Sequence, residues 1–215
     1  NKHDRVLPSV NYRYNFADDL ILRLAASQTM TLPDYSALAG AVSLSNLTHT
    51  GTAGNPELEP IISTNFDASL EWYFTERGLL SASLFSMDLD NYVRYATETR
   101  AYVNDQTGNV EDYEVTLPIN SDGKVRGVEL TYEQPIGDYF GISANYTYAD
   151  GEADVPAGSD ATDALVGTSK DTWNLSAFFE NDRFNARVAY TYRSSFYHGM
   201  LRANEYFQDD FGTLS

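Results

Sequence analysis

The sequence predicts an all-β chain, a wall of an antiparallel transmembrane β-barrel. Three observations carry this. Apolar and polar residues alternate with period two in about eight long segments. Those segments come in pairs joined by very short turns, while the connections between pairs are long. Tyrosine and tryptophan cluster near the ends of the apolar faces. Successive side chains of a strand point to opposite faces, so strict alternation makes one face greasy and the other wet. Short turns at one end and long loops at the other are the asymmetry of an outer-membrane barrel, whose interfaces carry aromatic girdles.

The segments run in order. Val10, Tyr12, Tyr14 and Phe16 oppose Asn11, Arg13 and Asn15. Leu20, Leu22, Leu24 and Ala26 oppose Arg23, Ala25 and Ser27. In GNPELEPIISTNFDASLEWYF (54–74), two prolines and a turn lead into Phe66, Ala68, Leu70, Trp72 and Phe74, opposed by Asn65, Asp67, Ser69, Glu71 and Tyr73. Residues 79–93 are strand-like too, but Phe85 and Met87 interrupt the alternation and predict a bulge or twist in that segment. Val128, Leu130 and Tyr132 then oppose Glu129, Thr131 and Glu133. Ile142, Ala144, Tyr146 and Tyr148 oppose Ser143, Asn145 and Thr147. Trp173, Leu175, Ala177 and Phe179 oppose Thr172, Asn174 and Ser176. Phe184, Ala186, Val188, Tyr190 and Tyr192 oppose Asn185, Arg187, Thr191 and Arg193. The short turns fall at 17–19, 75–78, 137–138 and 181–182; the long connections at 29–61, 95–123, 149–170 and from 197 onward.

Composition narrows the function. With a net charge of −17, the 215-residue chain lacks the basic face that nucleic acid or a simple anionic membrane surface requires. It has no cysteine, which excludes disulfides, a thiol nucleophile and thiolate metal sites. No apolar run reaches the length of a membrane helix, a limit that does not touch barrel strands of ~9–11 half-polar residues. The alternation by itself leaves open a soluble sandwich with one solvated face per sheet.

The motifs point further. Gly54-Asn55-Pro56-Glu57-Leu58-Glu59-Pro60, followed by a strand ending Glu71-Trp72-Tyr73-Phe74, resembles the GNPxLxPE loop and following strand of TonB-dependent outer-membrane receptors. Ile61 stands where that family usually has Glu, and Ser69 where its strand has Gly. LSASLFSMDLDNYV (80–93) and NSDGKVRGVELTYE (120–133) resemble two further family strands, and GTSKDTWNLSAFFENDRFNARVAYTYRSSF (167–196) a family hairpin, all in the family's order. The resemblance implies that residues 1–215 are part of the barrel domain, about eight strands of a plugged barrel of the 22-stranded type. It also implies that the plug domain, the TonB box and the terminal strands lie outside this stretch, in a longer parent.

Candidate functional residues follow from placement. Loop aromatics offer large contact area for sugars or aromatic chelators: Tyr102, Tyr113, Tyr197, His198 and Tyr206 are the expected ligand-binding residues, with Phe207 beside them. Arg13, Arg23, Arg187, Arg193, Glu71, Glu129 and Glu133 are expected to face the lumen and the plug. Asp150, Glu152 and Asp154 alternate like a calcium loop, but Val155 and Ala161 stand where an EF-hand needs Gly and Glu. His3, His49 and His198 have no zinc spacing. Asp88 and Asp90 read as a solvated strand end, and the sequons at Asn46, Asn145 and Asn174 as chance. No catalytic residue, metal site or cofactor is expected.

The function implied is an outer-membrane active-transport receptor of a Gram-negative cell, importing a scarce nutrient such as a siderophore-iron chelate, cobalamin or an oligosaccharide. Its implied partners are outer-membrane lipid and lipopolysaccharide, the plug and remaining barrel, the TonB complex and a small nutrient ligand. A passive porin or adhesin-type barrel, or a soluble carbohydrate-binding sandwich, stands as the alternative.

Overall fold

The computed structural model describes residues 4–155, 161–201 and 204–215. The strands are β1 (Ser9–Ala17), β2 (Leu20–Thr31), β3 (Val42–Ser45), β4 (Thr50–Ala53), β5 (Ile61–Trp72), β6 (Leu79–Val103) and β7 (Val110–Ile136). They continue as β8 (Phe140–Ala153), β9 (Asp171–Glu180), β10 (Asn185–Arg193), β11 (Phe196–Leu201), β12 (Asn204–Gln208) and β13 (Phe211–Leu214). Nine of them form one ladder in the order β1-β2-β5-β6-β7-β8-β9-β10-β13, antiparallel at every step. A single continuous sheet is not the two stacked layers of a sandwich. All eight expected segments are strands, and β13 adds a ninth, four-residue strand to the wall.

Register keeps one face apolar and the other mostly polar across the wall. One cross-strand row reads Tyr14, Leu22, Leu70, Ala82, Leu130, Tyr146, Trp173 and Tyr192. The neighbouring row on the other face reads Asn15, Ile21, Glu71, Ser81, Thr131, Asn145, Asn174 and Thr191. The apolar face is open: Val10, Leu84 and Val188 are each at least 60% exposed. In lipid such a face is in its own solvent. Polar tips of its aromatics find partners at the rims: Trp72 Nε1 donates to Asp19 at 3.2 Å, Tyr146 Oη to Asp171 at 2.6 Å and Tyr192 Oη to Asp210 at 3.4 Å. Amphipathic rings anchored this way mark a membrane–water interface.

The short turns have local causes. Gly137 takes a left-handed φ of 64°, which glycine adopts without steric cost. The Asn181 side chain accepts from the amides of Arg183 and Phe184 at 2.9 and 2.8 Å, closing the β9–β10 turn.

The irregularity expected in residues 79–93 is present, but not at Phe85 and Met87. Both pair regularly, Phe85 with Asp67 and Gly127, Met87 with Asn65 and Val125. They are apolar residues on the polar face, and the Phe85 ring is accommodated because its neighbour is a glycine: a Cβ at Gly127 would lie 2.3 Å from the ring and 2.2 Å from the Tyr148 carbonyl oxygen. The register shift falls instead between Leu89 and Tyr92, where Asn91 has a φ of 59°. Asparagine tolerates that conformation better than other side chains do.

The larger departure is at the long-loop end. Residues 95–123 are not a loop: β6 and β7 continue as a hairpin of 25- and 27-residue strands that turns only at 104–109. The 29–61 connection contains the β3–β4 hairpin, and β4 adds in parallel to β7. The stretch after 193 contains a separate two-stranded sheet, β11–β12.

Because a Cβ at position 127 meets both a ring and backbone, Gly127→Ala in the full-length receptor is expected to lose about 1–3 kcal/mol of stability. Thermal unfolding in detergent reads this directly, and an unchanged midpoint would show that Phe85 does not pack against this glycine.

Candidate functional site: the loop-covered mouth of the wall

The polar face leads at its upper end into the only extensive buried layer among the described residues. Counting in twos along β7 from Glu129 reaches Leu117, Val115 and Tyr113, which are 3%, 0% and 0% exposed. Across the bulge, Tyr92 and Arg94 of β6 pair with Ser121 and Ile119 and share that face. Loops therefore fold inward over the lumen side of the β6–β7 hairpin, from two directions.

From one side come residues 32–60. They leave the β2–β5 pair, yet β4 pairs with β7, so the connection crosses both strands of the hairpin. The GNPELEP stretch is its return path. Gly54 admits no side chain, since a Cβ would lie 1.8 Å from the Ala39 carbonyl oxygen. Asn55 Nδ2 donates to the Pro118 carbonyl at 3.1 Å, and its Oδ1 accepts from the Glu57 amide at 3.0 Å. Leu58 is buried beneath. Asn120 clamps the exit: its Oδ1 accepts from the Glu59 amide at 2.8 Å, and its Nδ2 donates to the carbonyls of Asn91 and Glu59 at 2.8 and 3.2 Å. The motif is thus a structural anchor, and Asn91 and Asn120, which it needs, lie 31 and more residues away in sequence.

At the hairpin tip the same loop is latched by one carboxylate. Glu111 Oε2 meets His49 Nε2 at 2.7 Å and Asn104 Nδ2 at 2.6 Å, while Oε1 accepts from Thr107 Oγ1 at 2.6 Å. The Thr107 hydroxyl, then Asn104 and His49, push the Glu111 carboxyl from 4.5 down to about 2, because each favours the charged form. Tyr113 donates to Asn46 Oδ1 at 2.8 Å, and its ring lies against Tyr102 and His49. Burial pushes its phenol up.

From the other side come residues 154–155 and 161–169. The buried Arg94 guanidinium donates to the carbonyls of Asp154 and Thr162 at 2.7 and 2.9 Å. Ser121 Oγ donates to the same Asp154 carbonyl at 2.6 Å, and the Val166 amide to Tyr92 Oη at 3.1 Å. The β11–β12 hairpin closes on this segment through the Gly167 amide to the Tyr197 carbonyl and the Thr162 amide to Glu205. Arg193 holds it at the rim: Nε donates to Ser169 Oγ at 2.7 Å, Nη2 to the Gly167 carbonyl, and its guanidinium stacks 4.0 Å over Phe196.

The expected site residues therefore divide. Tyr113 and Tyr197 are buried between loops, so their rings are closed to a ligand in this structure. Tyr102 is half-buried against Tyr113 on the hairpin arm, not in a loop. His198 and Tyr206 are exposed and face each other across β11–β12, rings 5.8 Å apart, with Phe207 also exposed. On the polar wall Arg23 pairs with Glu71 at 2.7 Å, Tyr73 donates to Glu71 at 3.1 Å, and Arg13 lies across from Arg23 and donates to Asn15 at 3.1 Å. Arg187 reaches Ser176 at 3.5 Å. Glu129 and Glu133 share that face, exposed and without an ion pair among the described residues. Arg193, expected to meet the plug, instead spends its donors on loop 167–169.

The acidic triplet is drawn into other contacts: Asp150 pairs with Lys170 at 3.3 Å and Glu152 with Lys124 at 2.8 Å. Among the described residues no group of three or more acids and histidines is placed to hold a metal ion. His3, and residues 156–160 of the acidic loop, lie outside the described residues. Sequence reading missed Arg94, Asn120 and Glu111, whose roles depend on strands that pair beyond the membrane belt.

The chain belongs to the TonB-dependent receptor family: the family model described as TonB dependent receptor-like, beta-barrel, matches residues 1–215. No curated protein matches it in sequence. Its fold is similar to the siderophore receptor PirA from Acinetobacter baumannii, with a TM-score of 0.66 at 15% identity over 97% of this chain and 33% of that one. It is similar also to the ferric enterobactin receptor PfeA from Pseudomonas aeruginosa, at 0.71 and 15% over 96% and 31%. The copper transporter OprC gives 0.64 and 15% over 96% and 30%. The chain spans about a third of the length of these receptors. The shared feature is the fold, an all-β barrel wall of an outer-membrane receptor family.

A carboxyl whose folded value lies below its unfolded one stabilises its contacts above the unfolded value and loses that contribution as pH falls. The Glu111 latch is therefore expected to hold above pH 4.5 and to release progressively towards about pH 2. Spin labels at the exposed positions Leu47 and Val110 of the full receptor should give one short distance that broadens over that window. Glu111→Gln should broaden it at every pH; a distance indifferent to both changes would refute the latch.

Proposed function

We propose that residues 1–215 are a middle-to-late part of the barrel of an outer-membrane active-transport receptor, whose plug domain and terminal strands belong to a longer parent. The observation that carries this reading is the inward-folded layer at the upper end of the polar wall. Tyr113, Val115, Leu117, Leu165 and Tyr197 are buried beneath loops that reach the lumen side from two directions. A covered mouth suits capture of a scarce solute before transport.

In this reading the long-loop end is extracellular and the short turns periplasmic. The apolar face meets outer-membrane lipid, with lipopolysaccharide at the level of Tyr146, Tyr148 and Tyr192. Arg13, Arg23, Glu71, Glu129, Glu133 and Arg187 form a hydrated, charged wall beside the plug, and TonB acts on the plug to open a path along it. His198 and Tyr206, with the exposed part of Tyr102, present aromatic edges for a siderophore-iron chelate, cobalamin or an oligosaccharide. No step requires catalysis.

The test uses the full-length receptor. Uptake of the cognate nutrient should vanish in cells lacking TonB, and liposomes carrying the purified receptor should not swell in small sugars. Free swelling would favour the porin. His198→Ala with Tyr206→Ala should weaken nutrient binding roughly tenfold, two lost ring contacts, without altering expression.

A further inference from the structure

The apolar face of the wall carries a straight furrow across β2, β5, β6 and β7. Its direction follows from where the strands end. The row that pairs Leu20 with Trp72 is the last of β2 and β5, and it continues through Leu80, Tyr132 and Ala144 to Leu175. Strand β9 runs on past that row, and its Phe179 pairs with Phe140, the first residue of β8. The short-turn rim therefore drops four residues, Leu175 to Phe179, over the four steps β5-β6-β7-β8-β9. Strands lie about 4.8 Å apart and rise about 3.4 Å per residue, so a rim dropping one residue per strand means a lean of about 35°. Straight up the wall is then two residues higher for each strand crossed.

Along that vertical the outward side chains fall into lanes. One lane reads Leu22, Ala68, Ser86 and Lys124. On one side of it run Leu24, Phe66 and Asp88, and on the other Leu70, Leu84 and Arg126. The middle lane is a floor: Ala68 and Ser86 are small and half-buried, while Leu24, Phe66, Leu70 and Leu84 stand exposed beside them. A cavity of about 440 Å³ follows this floor, walled by Leu24, Phe66 and Leu84 and widening towards Tyr12 and Ala26. By the same count Ser86 is level with Tyr148 and Tyr192, whose rings mark the upper interface. The furrow thus occupies the upper part of the lipid belt and opens just above it, at Arg126 and Lys124.

The cations at the opening are not equivalent. Lys124 is held by Glu152 at 2.8 Å, and Lys170 close by is held by Asp150 at 3.3 Å. Arg126 is exposed and has no ion pair among the described residues. Asp88 tops the opposite wall, so an anion is drawn to the Arg126 side.

We propose that this furrow binds one lipopolysaccharide molecule, a saturated acyl chain of its lipid A lying on Ala68 and Ser86 and a lipid A phosphate meeting the Arg126 guanidinium. A planar guanidinium matches two phosphate oxygens at once. A straight furrow one side chain wide excludes a chain kinked by a cis double bond. Burial of the chain against Leu24, Phe66 and Leu84 adds contact that a flat lipid-facing wall does not give. Strands β2, β5, β6 and β7 are paired on both sides along the furrow, so further barrel strands add beyond β1 and β13, and a plug lies against the other face. The choice of the outer leaflet rests on the orientation proposed above, with the long connections outside.

The test is native mass spectrometry of the full-length receptor in mild detergent, offered bisphosphorylated lipid A against a phosphatidylglycerol with an unsaturated chain. One lipid A per receptor should be retained in preference to the phospholipid. Arg126→Gln and Ala68→Phe, which fills the floor, should each weaken that retention about tenfold. Ala177→Phe, an equal enlargement on the same face in β9, should leave it unchanged. Both alanines face lipid rather than a packed core, and heat-modifiable migration on a gel confirms that each variant is folded. Equal retention of the phospholipid, wild-type retention by Arg126→Gln or Ala68→Phe, or an equal loss in Ala177→Phe would each overturn the proposal. TonB-dependent uptake without a lipid A preference would sink the furrow alone. A lipid A preference without TonB-dependent uptake would sink the transport reading alone.

Discussion

The cross-strand backbone ladder is what everything else in this chain depends on. In hydrocarbon an unpaired N–H or C=O has nothing to bond to, so the wall must pair strand to strand without a gap. Regular pairing then forces the alternation, because a slip of one residue would turn Leu22, Leu70 and Leu130 inward and Glu71 outward. The wall needs no buried core of its own: lipid solvates the apolar face and water the polar one.

Beyond the belt the solvent changes and so does the architecture. Water can satisfy a strand edge, so β6 and β7 extend as a free-standing hairpin, and apolar burial is needed again. Apart from Ile21, the buried apolar side chains among the described residues lie at this upper end. Three polar devices hold the layer together: Asn120 on the GNPELEP return path, Glu111 at the tip and Arg94 beneath the Asp154 and Thr162 carbonyls. Each binds groups far away in sequence. Buried side-chain polar atoms among the described residues all have partners, as a layer built on hydrogen bonds requires.

The wall was legible in the sequence because its rule is local. Period two is visible within ten residues, and Asn181 or Gly137 marks a turn within three. The candidate site was less legible. Tyr113 looked like a free loop aromatic, yet it is fully buried, because alternation continues through 95–103 and 110–123 with polar threonines and glutamates on the face away from the lumen, a pattern that reads as loop when no lipid is there to demand leucine. Phe85 looked like a bulge because the alternation test cannot see that its cross-strand neighbour is Gly127.

The sequence by itself determined that this chain is a membrane-barrel wall, which face of each wall strand is apolar, and which end bears the long connections, since those are properties of neighbours along the chain. Only the tertiary structure decided that the connections fold inward, that β4 crosses to pair with β7, and that β6 outruns β5 by a dozen residues. Those outcomes turn on which backbone edge lies beside which loop, and residues such as Asn55 and Asn120 carry no sign of their partnership until the ladder has brought them together.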